Sequence, residues 1–88
     1  MTDRDTHSID MMMRALRAEA AACFADPVLV TVDFGKIEDA DLQDASVVVE
    51  RLKASARMCF LSAKLMLDGR VLFTAKAVFK TISGPAKK

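Results

Sequence analysis

The sequence predicts an α+β domain of two layers: one long helix packed on a four-stranded antiparallel sheet. Three observations carry this expectation. Apolar residues recur with helical period from Ile9 to about Phe24. After an Asp68-Gly69 pair, residues alternate with period two, so that Phe73, Ala75, Ala77 and Phe79 share one face while Thr74, Lys76, Val78 and Lys80 share the other. Between these segments lie three further strand-like runs separated by turn-forming residues.

The elements follow in order. Residues 1–8 are polar and are expected to be flexible up to Ser8, an N-cap candidate with Asp10 in the first turn, where a carboxylate suits the helix dipole. Ile9, Met12, Met13, Leu16, Ala20, Cys23 and Phe24 form the apolar stripe of the helix. Asp10 and Arg14 stand at i,i+4 on another face. Asp26-Pro27 ends the helix, because the residue before proline is driven out of the helical region. Val28–Phe34 is the first strand, rich in β-branched residues. Gly35 to Asp44 is an acidic connection whose spacing is not that of a calcium loop. Residues 45–54 form the second strand, with Val47, Val49 and Lys53 expected to alternate with Ser46, Val48 and Leu52. Residues 57–67 form the third strand, and residues 70–82 the fourth. Between those last two, Asp68-Gly69 is a hairpin signal, since Gly takes the positive φ a tight turn needs. Residues 83–88 read as a flexible tail.

Composition bounds the rest. With 88 residues the chain makes a single domain spanning 1–88. A chain this short buries a modest fraction of its surface, and 52% of its residues are hydrophobic, so an oligomer is expected. No apolar run approaches the roughly 18 residues of a membrane span. Asp3, Asp5 and Asp10 among the first ten residues are unlike a signal peptide. Cys23 and Cys59 stand in no CxxC or zinc spacing and lie in apolar stretches, so they read as reduced core thiols of a cytoplasmic protein. Net charge is +1, but residues 1–45 hold four Lys/Arg against ten Asp/Glu and residues 46–88 hold nine against two. The basic half can attract an anion; equally, its charges can serve to solvate the strand faces.

Three stretches resemble the hotdog-fold acyl-CoA thioesterases, and in particular the phenylacetate-type group that usually carries a His-Gly-Gly motif. Asp10-Met-Met-Met-Arg-Ala-Leu is similar to the start of that family's central helix. Val30-Thr31-Val32-Asp33-Phe34 is similar to the strand after it. Residues 47–79 are similar to the closing meander, including Arg51, Lys53, Arg57, Phe60, Ala63, Asp68-Gly69-Arg70 and Ala75–Phe79. The resemblance implies a hotdog-like sheet wrapped around the helix and a homodimer paired through Val28–Phe34, leaving open whether dimers pair into tetramers. It also implies departures. Only about eight polar residues precede the helix where the family has a strand, no His-Gly-Gly occurs, and the loop at 35–44 lacks the family's Phe, Arg and Pro. The chain therefore looks like a hotdog shortened at its N-terminus.

The resemblance assigns roles residue by residue. Asp10 is the carboxylate that would act as nucleophile or general base on a thioester; its ordinary role is a helix residue paired with Arg14. Arg51, Lys53 and Arg57 would hold the phosphates of coenzyme A, or else form an exposed basic hairpin. Met12, Met13 and Leu16, with Met11, would line an acyl pocket, or else fill the core. His7 reads as a disordered surface residue. Coenzyme A enters as part of the substrate, with no further cofactor and no metal. Two functions compete: a thioesterase-like protein that binds and hydrolyses an acyl-CoA, and a non-catalytic hotdog module for acyl binding or protein interaction. Nucleic-acid binding is expected to be absent. Lys76 and Lys80 are read as lacking exposed aromatics for base stacking, and the acidic half repels phosphate. No membrane association is expected.

Overall fold

The computed structural model describes residues 4–81. In chain order it contains α1 (Arg4–Cys23), β1 (Pro27–Lys36), β2 (Ser46–Ala54), β3 (Met58–Leu67) and β4 (Arg70–Thr81). The strands form one antiparallel sheet in the order β1-β4-β3-β2, and α1 packs on one face of it. This is the two-layer α+β architecture expected from the sequence.

The helix begins about one turn earlier than expected. Residues 4–8 are helical rather than flexible, and Ser8 is no cap but a buried residue in line with Met12, Leu16 and Ala20. These four residues, spaced by four, form the ridge pressed onto the sheet. Asp5 takes the first-turn position that suits the helix dipole. Residues 1–3 and the expected tail at 83–88 lie outside the described residues.

β4 is the spine of the sheet. Phe73, Ala75, Ala77 and Phe79 are all buried beneath the helix. They stand opposite Leu65, Ala63, Leu61 and Cys59 of β3. On the other side Phe34, Val32 and Leu29 of β1 oppose Ala75, Ala77 and Phe79. Small residues at the centre (Ala63, Ala75, Ala77) let the helix approach, while Phe73, Phe79 and Leu65 close the ends of the groove.

Asp68 and Gly69 both adopt positive φ, 53° and 78°, which is the combination a primed two-residue hairpin demands. A side chain at Gly69 would meet no atom within 4 Å, so any penalty there is purely one of backbone conformation. Gly69→Val is expected to cost about 1–2 kcal/mol of stability in urea unfolding. An unchanged midpoint would show that the turn is not held in this conformation.

Three bulges interrupt the ladders; one lies between β3 and β4, where the register slips between Leu65 and Met66 and leaves Leu72 as the extra residue. In β1 the register slips between Leu29 and Thr31, leaving Val30 as the extra residue, and in β2 it slips between Arg51 and Lys53, leaving Leu52. A bulge reverses the face on which the following residues fall. Val47, Val49 and Arg51 oppose Leu65, Ala63 and Leu61 on the helix side, whereas Lys53 opposes Phe60 on the outer side. The expected placement of Lys53 on the Val47 and Val49 face is thereby corrected.

Candidate functional site

The amino-terminal half of α1 carries Arg4, His7 and Met11 on one face, at i, i+3 and i+7. Opposite them runs the connection between β1 and β2. Asp41 Oδ1 accepts a hydrogen bond from the Gln43 amide at 3.1 Å, and Leu42 O accepts one from the Ala45 amide at 3.1 Å. These are the local bonds by which an Asp-rich segment turns tightly. The helix face and this turn enclose a cleft of about 520 Å³ lined by Arg4, His7, Met11, Asp41, Leu42, Gln43 and Ala45.

Ion pairs fasten the walls of this cleft. Arg4 meets Asp39 at 3.0 Å, and Lys36 Nζ lies 2.8 Å from Asp5 and 3.5 Å from Asp39. Its hydrogen bond to Asp5 holds the Lys36 ammonium above its ordinary pKa. Arg70 pairs with Glu38 at the same end. All of these groups are well solvated, so each pair adds little stability, but together they set the helix against the loop. Met11, Leu42 and Ala45 give the cleft an apolar wall. Arg4, His7, Asp41 and Gln43 give it a cation, an imidazole, a carboxylate and an amide. An apolar wall beside a few polar groups suits an amphipathic ligand.

The residues expected from sequence are not gathered there. Asp10 lies outside the cleft lining, on the face of α1 turned from the sheet, and its Oδ2 pairs with Arg14 Nε at 3.1 Å. Met12 and Leu16 are wholly enclosed in the core, and Met13 is half-buried against it. Met11 alone of that methionine run reaches the cleft. His7 is neither disordered nor remote: it is an exposed helical residue on the cleft wall. The signal that could have found it was the spacing of Arg4, His7 and Met11, hidden by placing the helix start at Ser8.

The expected basic trio is divided. Arg51 faces the helix, where its Nη2 and Nε donate to Glu19 Oε2 at 2.5 and 3.0 Å. Lys53 lies on the outer face, and Arg57 is exposed in the turn before β3. Close to Arg51 the two thiols come together. Cys59 is fully buried and its thiol is pushed up to about 11, first by burial and next by a hydrogen bond with Cys23. The two cysteines are free.

The outer face of the sheet also departs from expectation. Phe60 opposes Val78 and is 37% exposed, so an aromatic does stand on the face that bears Lys76 and Lys80. Nearby, a second hollow of about 510 Å³ is lined by residues that include Asp33, Leu52, Ser62, Lys64, Thr74 and Lys76. Among the described residues no three His, Cys, Asp or Glu side chains are grouped to hold a metal ion. Nor, among them, is any helix long and apolar enough to cross a membrane.

One long helix packed on a four-stranded antiparallel sheet gives this chain a hotdog-like fold. Two solved structures share it. The probable thioesterase YbaW from Escherichia coli superposes with a TM-score of 0.69 at 15% identity, over 88% of this chain and 67% of that one. A candidate thioesterase from Ralstonia eutropha JMP134, a phenylacetic acid degradation-related protein, superposes with a TM-score of 0.57 at 16% identity, over 64% of this chain and 42% of that one. The chain thus spans less than half of the Ralstonia protein. No protein-family model and no curated protein matches the sequence.

Proposed function

We propose that this chain is a thioesterase-like hotdog protein that binds an acyl-CoA thioester as a homodimer. The observation that carries this reading is the fold: the likeness to YbaW extends over 88% of the chain. The cleft at the amino-terminal end of α1 supports it by offering apolar wall and polar groups together. In this reading the acyl part lies against Met11 and Leu42. Lys53 and Arg57, which make no ion pair among the described residues, are freer to meet coenzyme A phosphates than Arg51, whose guanidinium Glu19 already holds. The outer edge of β1, unpaired among the described residues, receives the same edge of a second copy.

Hydrolysis assigns Asp10 as the carboxylate that attacks the thioester carbonyl or activates water for that attack. Asp10 turns away from its own cleft, so this role requires substrate held between subunits. The second reading, a non-catalytic acyl-binding or interaction module, is favoured by that same orientation and by the Asp10–Arg14 pair at 3.1 Å.

Calorimetry with coenzyme A and a short acyl-CoA series, followed by turnover of a thioester panel, tests both readings. Micromolar binding by a dimer is the expected result. Asp10→Ala is expected to lower turnover by about 100-fold or more if the carboxylate takes part in chemistry. Equal rates in the two proteins would remove Asp10 from the mechanism, binding without turnover would select the non-catalytic module, and absence of binding would refute the acyl-CoA reading.

A further inference from the structure

We propose that Cys23 and Cys59 form an oxidisable dithiol site, which a hydroperoxide converts into an intramolecular disulfide tying the end of α1 to β3. The placement follows from the packing of helix on sheet. Glu19 and Cys23 are one turn apart on the same helix face, and Glu19 grips Arg51 of β2 at 2.5 Å. Arg51 stands opposite Leu61, and Cys59 is two residues from Leu61 on the same inward face of β3. One turn along a helix advances about 5.4 Å and two residues along a strand about 6.6 Å. The helix ends at Cys23, and Asp26 just beyond it accepts a 2.7 Å hydrogen bond from Thr81, whose amide bonds Arg57 O. The carboxyl end of α1 therefore lies over the start of β3, and stepping from Glu19 to Cys23 and from Leu61 to Cys59 proceeds in the same direction. Cys23 is packed against the core cluster that contains Cys59.

The two sulfurs differ in access, and this divides their roles. Cys59 is fully buried, while Cys23 is half-buried at the helix end, open to a small oxidant. The charge of Arg51 draws the Cys59 thiol down, against the larger effect of its burial. The Cys23 thiolate attacks the terminal oxygen of the hydroperoxide, the O–O bond breaks, and alkoxide (hydroxide from hydrogen peroxide) leaves; Cys23 becomes a sulfenic acid. The Cys59 thiol then attacks that sulfur, the S–S bond forms, and water departs with the Cys59 proton. Two thiols lose two electrons and the hydroperoxide gains them. This inference does not depend on the thioester reading.

The test is thiol labelling of the folded protein before and after hydrogen peroxide, with N-ethylmaleimide added in denaturant and masses read on single chains. The reduced protein is expected to take two labels. The oxidised protein is expected to take none, to weigh two hydrogens less, and to melt roughly 10 °C higher because the cross-link restricts the unfolded chain. Cys23→Ser is expected to keep one label after the same treatment, since buried Cys59 is shielded. Sulfinic acid at Cys23 with Cys59 still labelled, a disulfide between two chains, or a melting temperature not raised by oxidation would each overturn the proposal. The wild-type labelling decides the matter even if a cysteine variant fails to fold.

Discussion

Phe79→Ala is expected to remove about 3–5 kcal/mol of folding stability. Phe79 has no exposed surface and sits between Leu29 of β1 and Cys59 of β3, where three strands meet under the end of the helix. Truncation there removes a ring that all three strands touch. Neighbouring strands cannot close the hole, because the backbone ladders on both sides fix their separation at about 4.8 Å. A domain of this size has a total stability of roughly 5–15 kcal/mol, so the variant should be partly unfolded at physiological temperature. The chain has no Trp and no Tyr; far-ultraviolet circular dichroism in urea is therefore the suitable measurement. Phe79→Leu, which keeps most of the volume, should lose less than half as much. A loss below about 1 kcal/mol for the alanine variant would mean that the β1–β4–β3 junction is not packed as described.

If the chain pairs through β1 as proposed, the double substitution Val28→Lys, Val30→Lys is expected to turn that dimer into a monomer. Val28 and Val30 are 40% and 48% exposed on β1, the first strand of the sheet order and hence an open edge. An exposed apolar edge is a template for another strand, and lysine on an edge is a common natural device against such pairing. Both side chains are already partly in water in the single chain, so the substitution should cost the monomer little. Light scattering should give twice the 9.6 kDa chain mass for the native protein and the single mass for the variant. A native protein that is already monomeric would overturn pairing through β1, and a variant that remains dimeric would move the interface elsewhere.

Much of the fold was legible because its signals are local. The Asp68-Gly69 turn needs only two residues, and the alternation from Phe73 to Phe79 needs only a strand with one covered face. What was not legible depends on partners distant in the chain. Ser8 looks like a cap because serine often caps helices, yet its position four residues before Met12 puts it on the buried ridge, and tertiary burial prevails over local preference. His7 was misread with it. Lys53 was assigned to the wrong face because a bulge adds a residue without altering the composition of the run. The bulge arises where Arg51 is drawn to Glu19, 32 residues away, a contact no local pattern announces. Of the candidate site, the methionine run was visible but not which methionine would reach the cleft: the helical phase that buries Met12 leaves Met11 at the wall. The meeting of Cys23 with Cys59 likewise depends on how the helix lies on the sheet.

The central position of β4 also bears on how the chain is made. Every other strand reaches the sheet through β4 or through β3 beside it, and Pro27 of β1 pairs with Thr81. On the ribosome, β1 emerges early and must wait for nearly the whole of the remaining chain before its partner appears. The β2–β3 hairpin can form first, and the β3–β4 hairpin next, but β1 stays an apolar strand without a neighbour until synthesis has passed Thr81. Protein synthesis thus has a window in which a strand of one nascent chain can meet the same strand of another. Slowing translation between β3 and β4 should lengthen that window and raise the fraction lost to aggregates, whereas Lys at positions 28 and 30 should lower it.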